Sequence, residues 1–231
     1  MRQLVPIFAA LSIAAAPALA QEKVTRLDYG FSYVIPQGYR VDPHFSEIGL
    51  FGETLIDLQT KEGILKNTTQ GTNAFINHFV VSSITLTSQP LEKVIVTPEG
   101  TKPVGGETPD AEKKRITSAS KNLVQNLNSI FRLANVTMDY QNSASIKVSG
   151  EDAIAVRCNS YVGDSDIEFT VRLIFMIRKD KLLTFLFAAK NTDFEEEVKP
   201  FDAFMRNFKF LTPPGAKLKP TPAPPKPKKK K

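Results

Sequence analysis

The stretch from Asp152 to Phe210 leaves this chain few folds to choose from. Ala153 to Tyr161 alternates, with Ile154, Val156 and Cys158 on one face and Arg157 and Asn159 on the other. That period of two is the mark of a half-buried strand. Val162 to Asp166 supplies Gly and Asp residues suited to a turn. Ile167 to Ile177 is rich in Val, Ile, Phe and Thr, interrupted by Arg172; Arg178 to Lys181 is polar; Leu182 to Ala189 is a third apolar run. The pattern predicts three antiparallel strands joined by two short hairpins. A helix is predicted next, because Phe194, Val198, Phe201, Met205 and Phe208 recur at steps of three and four and make one apolar stripe. Thr192 with Glu195 fits a capping box. Glu195, Glu196 and Glu197 suit the positive end of the helix dipole, and Arg206 and Lys209 the negative end. Pro200 lacks an N–H, so it predicts either a kink or a fresh helix start.

The earlier residues read as cover for this unit. Leu27, Tyr29, Phe31, Tyr33 and Ile35 alternate and predict a first strand, ended by Pro36-Gln37-Gly38. Tyr39 and Val41 continue as a short second strand. Phe45 to Leu65 holds apolar residues without a clear period and reads as short strands; Lys66 to Asn73 is a polar loop. Phe75 to Leu86 predicts another strand, and Pro98 to Pro109 a Gly/Pro-rich loop. Asp110 is placed to cap a helix running to about Leu133. Its apolar face holds Ile116, Leu123, Leu127 and Ile130, with Val124 and Phe131 beside it. Lys113, Lys114, Arg115, Lys121 and Arg132 fall mainly on the solvated side. Val136 to Tyr140 and Ser145 to Val148 add two strands before Gly150. Consecutive hairpins and two amphipathic helices predict an α+β fold, an antiparallel sheet flanked by helices.

The two ends differ from the middle. Met1 to Ala20 has a positive start at Arg2, an apolar run from Leu4 to Ala16, Pro17, and Ala18-Leu19-Ala20 in the A-x-A pattern. This predicts a secretory signal peptide with a mature start at Gln21, hence a periplasmic or secreted protein. Residues 213–231 form a Pro/Lys-rich tail with Lys217, Lys219, Lys226, Lys228, Lys229, Lys230 and Lys231, and no acid. The chain carries 30 Lys and Arg against 24 Asp and Glu. One basic residue lies in the leader and seven in the tail, so the segment between holds 22 basic against 24 acidic residues. The basicity belongs to the tail, which disfavours a nucleic-acid-binding domain. The domain plan is therefore a leader at 1–20, one α+β domain at 21–212 and a disordered tail at 213–231. About 190 residues are ample for one core.

The order of these elements resembles the PsbP-like superfamily. The resemblance rests on Phe31-Ser32-Tyr33-Val34-Ile35-Pro36-Gln37-Gly38-Tyr39, on the triple strand from Ala153 to Ala189, and on Phe194 to Phe210. That family includes an extrinsic photosystem II subunit, eukaryotic Ran-binding relatives and bacterial envelope proteins such as the DcrB-like ones. It implies an α/β/α sandwich that mostly binds other macromolecules. The Gly/Pro-rich excursion and the lysine tail depart from the family pattern, and the bacterial-type leader argues against a photosystem role.

A motif search nominates no catalytic, cofactor or metal residues. The histidines are His44, in a loop, and His78, in a strand, beside a single cysteine, and this is too sparse for a Cys/His zinc site. His78 reads as a structural histidine. Asp164-Ser165-Asp166 lacks the ligand count of a calcium loop. Gly100 to Gly106 is not followed by Lys-Ser/Thr, so it is not a phosphate-binding loop. Cys158 shares the inward face of its strand and reads as a core thiol, with a nucleophile or an intermolecular disulfide as the other readings. The tail is an extended polyproline spacer tipped with lysines. It reads either as a tether to anionic lipid, lipopolysaccharide or cell-wall polymer or as a solubilising end. The functional expectation is a non-catalytic accessory or binding module with an envelope protein as partner. A small-ligand binder or a hydrolase, using the sheet or the Gly100 to Gly106 loop, is the alternative.

Overall fold

The computed structural model describes residues 22–41, 52–60, 83–91, 105–132, 135–163 and 168–211. Among them are ten strands and two helices: β1 (Lys23–Arg26), β2 (Phe31–Val34), β3 (Tyr39–Val41), β4 (Glu53–Thr60), β5 (Ser83–Pro90), α1 (Pro109–Phe131), β6 (Val136–Val148), β7 (Glu151–Val162), β8 (Glu168–Arg178), β9 (Lys181–Lys190), α2 (Phe194–Asn207) and β10 (Lys209–Phe210). Seven strands form one sheet in the order β3-β4-β5-β9-β8-β7-β6, and three form a smaller sheet in the order β1-β2-β10. Every pairing is antiparallel. The α+β expectation holds.

The β7–β8–β9 meander falls where its alternation placed it. Ile154, Val156 and Cys158 pack with Val171, Leu173 and Phe175 in one buried cluster beneath Ile116, Val124 and Leu127 of α1. On the opposite face, Ile174, Met176, Leu183, Phe185 and Phe187 meet Phe194, Val198, Phe201, Phe204 and Phe208. The small sheet completes that layer through Phe31 and Tyr33. The large sheet therefore lies between α1 on one face and α2 with the small sheet on the other.

Aromatic contacts bind the second layer together. Phe201 stacks on Phe187 with ring centroids 5.2 Å apart. Phe208 meets Phe185 edge-on at 5.0 Å and Phe31 at 5.3 Å. Tyr33 lies 5.7 Å from Phe204. The stripe on α2 is thus Phe194, Val198, Phe201 and Phe204, while Met205 is only partly buried. The correction from Met205 to Phe204 follows from the two-layer environment. Position 204 faces both Phe185 and Tyr33, so the helix buries a wider arc than one sheet would require.

Several local expectations change. The predicted first strand is shortened to β2: Leu27 to Gly30 form the turn that joins it to β1, a strand formed by residues before Leu27. Leu27 is exposed, and Gly30, at φ +70°, donates its N–H to the Arg26 carbonyl at 2.9 Å. Glycine adopts that left-handed conformation without a Cβ penalty, and it ends the alternation begun at Leu27. Helix α1 is capped by Thr108, whose Oγ1 accepts from the Ala111 N–H at 3.3 Å, rather than by Asp110. Pro109 occupies the first turn, where its missing N–H costs nothing. The Thr192–Glu195 capping box does not form. Asp193 is the N-cap and makes no side-chain cap bond; its carbonyl accepts from the Glu196 and Glu197 N–H groups. Pro200 starts no new helix, since α2 runs through it. The two short strands before Gly150 are one strand, β6, with a bulge between Tyr140 and Asn142. Ser149 and Gly150, both at positive φ, form the turn into β7.

The leader, the tail, His44, His78, Phe75 to Val81 and Asp164 to Asp166 lie outside the described residues, as do the side chains of Ile130 and Phe131 and residues 100–104.

Cys158 is fully buried, and its thiol is pushed up to about 12 by desolvation and by the nearby Asp139 carboxylate. A thiol with so little thiolate is inert. It is therefore expected to ignore Ellman's reagent in the native protein and to react fully after unfolding in guanidinium. Rapid native-state labelling would contradict the buried placement. In the aromatic layer, Phe201→Ala is expected to lower stability by about 3–5 kcal/mol through loss of a fully buried ring. Met205→Ala is expected to cost about 1 kcal/mol or less, because the side chain is only partly buried. Urea midpoints of the two variants check the order.

Candidate functional site

The two sheets do not close against each other everywhere. Where the turn between β8 and β9 passes the turn between β1 and β2, a cleft of about 180 Å³ remains. Its apolar walls are Tyr29, Phe31, Leu55, Leu183 and Phe210; its rim carries Asp28, Ser88, Arg178, Lys179, Asp180 and Lys181. Six strands and two turns of distant sequence thus meet at one place.

The walls are held by bonds within and between the two sheets. Arg178 donates from Nε to Glu151 Oε1 at 3.0 Å and lays its guanidinium over the Phe210 ring at 4.1 Å. The Phe210 N–H donates to Ser149 Oγ at 3.0 Å, and the Leu211 N–H donates to the Gly30 carbonyl at 2.8 Å. Across the cleft, Arg26 pairs with Asp28 at 2.9 Å, donates to the Leu55 carbonyl at 3.2 Å and covers the Tyr29 ring at 4.6 Å. Tyr29 donates its hydroxyl to Glu53. That bond, with desolvation, raises the Tyr29 pKa above its usual range, so the phenol stays neutral. The Arg26 hydrogen bond holds the Asp28 carboxyl below its usual range, so this rim carboxylate stays charged and matched.

The charges left over are those of the β8–β9 turn. Lys179, Asp180 and Lys181 are exposed, and their side chains form no ion pair or hydrogen bond among the described residues. The turn is held in place regardless. Lys179 sits at φ +58°, and the Asp180 carbonyl accepts from the Leu91 N–H at 2.9 Å. The cleft therefore presents an aromatic floor with an unmatched, net positive lip, and an apolar group carrying an acidic neighbour would fill both.

A second polar feature lies on the face of the large sheet toward α1. There β4 and β5 place Asp57 opposite Thr85 and Gln59 opposite Ser83. Thr87 stands opposite Thr54 on one side and Thr184 on the other. All but Thr54 are buried. The hydroxyls of Thr54 and Thr87 make no hydrogen bond among the described residues. Asp57, Gln59, Ser83, Thr85 and Thr87 alternate with Ile56, Leu58, Ile84 and Leu86, a period hidden in the sequence by the aperiodic apolar residues of Phe45 to Leu65.

None of the tail lysines lies among the described residues, so the structure brings none of the sequence-nominated site residues together. The cleft residues were missed because they lie in turns and at strand ends, and only the fold assembles them. The polar turn Arg178 to Lys181 was their one local signal.

No protein-family model matches the chain, and no curated protein matches it. Among solved structures it is similar to PsbP of the cyanobacterium Synechocystis sp. PCC 6803, at 12% identity over 88% of this chain and 100% of that one, with a TM-score of 0.48. It is similar to the Ran-binding protein Mog1p of Saccharomyces cerevisiae, at 8% identity over 83% of this chain and 95% of that one, with a TM-score of 0.46. LpqN of Mycobacterium tuberculosis, described as involved in cell envelope biogenesis, is 9% identical over 86% of this chain and 88% of that one, with a TM-score of 0.43. The PsbP-like resemblance read from the sequence meets a PsbP structure here as a likeness of chain course, without residue correspondence.

Proposed function

We propose that this chain is a non-catalytic binding module of the cell envelope. In this reading residues 1–20 export it, residues 21–212 form one domain whose cleft takes an anchor group from a protein partner, and the tail tethers it to polyanions. The observation that carries the reading is the size and lining of the cleft. Sites that enclose a drug-sized ligand or cofactor run to roughly 300–1,000 Å³. At about 180 Å³ this one holds a single large side chain, which is how a buried anchor engages a partner surface. The unmatched Lys179 and Lys181 favour an anchor flanked by Asp or Glu, through steering more than through raw affinity. The size of the cleft disfavours a drug-sized ligand or cofactor.

The tail adds a separate, sequence-based element. Its lysines each contribute about 1 kcal/mol near an anionic surface, weakened by salt. Its prolines hold that charge away from the domain on an extended spacer.

Two measurements check the two parts separately. An array of peptides carrying Phe, Tyr or Leu within acidic flanks is expected to bind the purified chain, and scrambled basic peptides are not. The Lys179→Glu/Lys181→Glu variant is expected to weaken that binding about tenfold, the effect of roughly 1.4 kcal/mol. Equal binding of acidic and basic peptides would sink the cleft reading. For the tail, cosedimentation with phosphatidylglycerol vesicles is expected for the full chain, to be reversed by salt, and to be lost when residues 213–231 are removed. Unchanged sedimentation after that removal leaves the tail as a solubilising end.

A further inference from the structure

Strand β6 is an outer strand of the seven-stranded sheet, and among the described residues no strand pairs with its outer edge, which is only half protected. At its start, Asn128 of α1 reaches the edge. Its Nδ2 donates to the Met138 carbonyl at 2.7 Å, and its Oδ1 accepts from the Met138 N–H at 2.6 Å. The side-chain amide thus takes the place of a neighbouring strand for one residue. These bonds also show that Met138 turns both backbone groups outward. The extra residue at the Tyr140/Asn142 bulge shifts the alternation by one. Beyond it, the outward backbone groups are those of Ser143, Ser145 and Lys147.

That second half is guarded only at its ends, by the bulge and by Lys147. Gln141 to Ile146 contains no charge and no proline, and Gln141, Asn142, Ala144 and Ser145 are exposed. Lys147 is drawn along the sheet by its ion pair with Asp152 of β7 and does not project across the edge. Between the bulge and Lys147 the edge is uncharged and free of proline, and an unpaired edge of that kind is a template for another strand.

We propose that this edge pairs with β6 of a second copy, antiparallel about a two-fold axis at Ala144. The strand is self-complementary in that register. Ser143 comes opposite Ser145 of the other copy, Lys147 opposite Gln141, and Ala144 opposite itself, so no like charges face each other. Met138 of one copy comes level with the Ser149-Gly150 turn of the other, so the Asn128 amide and the second strand do not compete for the same groups. The small Ser and Ala side chains leave room for the close approach. The proline-dense tail is a poor occupant, because proline lacks the N–H that a ladder needs.

Sedimentation equilibrium of the purified chain from micromolar to millimolar concentration is expected to show the mass doubling. Ala144→Lys sets two lysines face to face and is expected to hold the chain as a monomer; its circular dichroism shows whether the fold is kept. Ala144→Cys is expected to form an interchain disulfide under copper phenanthroline, because residues facing each other at such a pair lie within disulfide reach. Cys158 is buried and adds no background. Ser129→Cys, on the exposed side of α1, serves as the control. A wild-type chain that stays monomeric, with Ala144→Cys crosslinking no faster than the control, overturns the proposal and leaves the edge to an extended segment of another protein. A dimer that persists in Ala144→Lys overturns it too, placing the contact elsewhere.

Discussion

The aromatic layer around α2 is the interaction on which the rest depends. The small sheet is short, with four residues in β1, four in β2 and two in β10, and a sheet of that size has little stability of its own. It is held because Phe31 and Tyr33 meet Phe204 and Phe208, which in turn meet Phe185 of the large sheet. The helix is therefore the shared wall of two sheets. Ring pairs in offset or edge-on geometry add to the area they bury, and here they also set the spacing that leaves the cleft open at one end.

Two ion pairs reinforce the same wall on its solvent side. Arg172 reaches Asp202 at 2.7 Å and lies over the Phe201 ring at 5.7 Å; Arg157 reaches Glu195 at 3.2 Å and lies over Phe194 at 4.5 Å. All four side chains keep contact with water, so the pairs themselves are worth little. Their guanidinium groups also lie over the Phe194 and Phe201 rings of α2. Arg172, which interrupts an apolar strand in the sequence, is explained this way. It bridges β8 to α2, with its guanidinium over Phe201 and bonded to Asp202.

Much of the fold was legible because its signals are local. The three strands from Ala153 to Ala189, the inward face of Cys158 and the existence of both helices follow from periodicity that tertiary context reinforces. The misreadings occur where two local rules compete. Leu27 continues an alternation, but Gly30 permits a turn, and the pairing of Lys23–Arg26 with Phe31–Val34 selects the turn. Thr192 offers a capping box, yet the chain enters the helix one residue later, at Asp193. Phe204 was passed over because a single stripe of step three or four fits a helix on one sheet, not a helix between two. The cleft was not legible at all. Asp28, Arg178 and Phe210 carry no motif among them, and their meeting is a property of strand order. The buried row of Asp57, Gln59, Ser83, Thr85 and Thr87 was not legible either, because Phe45 to Leu65 shows no clear period and the polar face of the row is not a solvent face.

The bond from the Leu211 N–H to the Gly30 carbonyl has a mechanical meaning. Any tension applied from beyond Leu211 enters the domain through β10, a strand of two residues that carries Phe210, one wall of the cleft. Because β10 runs antiparallel to β2, such a pull loads that pairing before it reaches the long strands. The first element to yield under load is then the wall of the cleft itself, so a taut chain and an occupied cleft oppose each other.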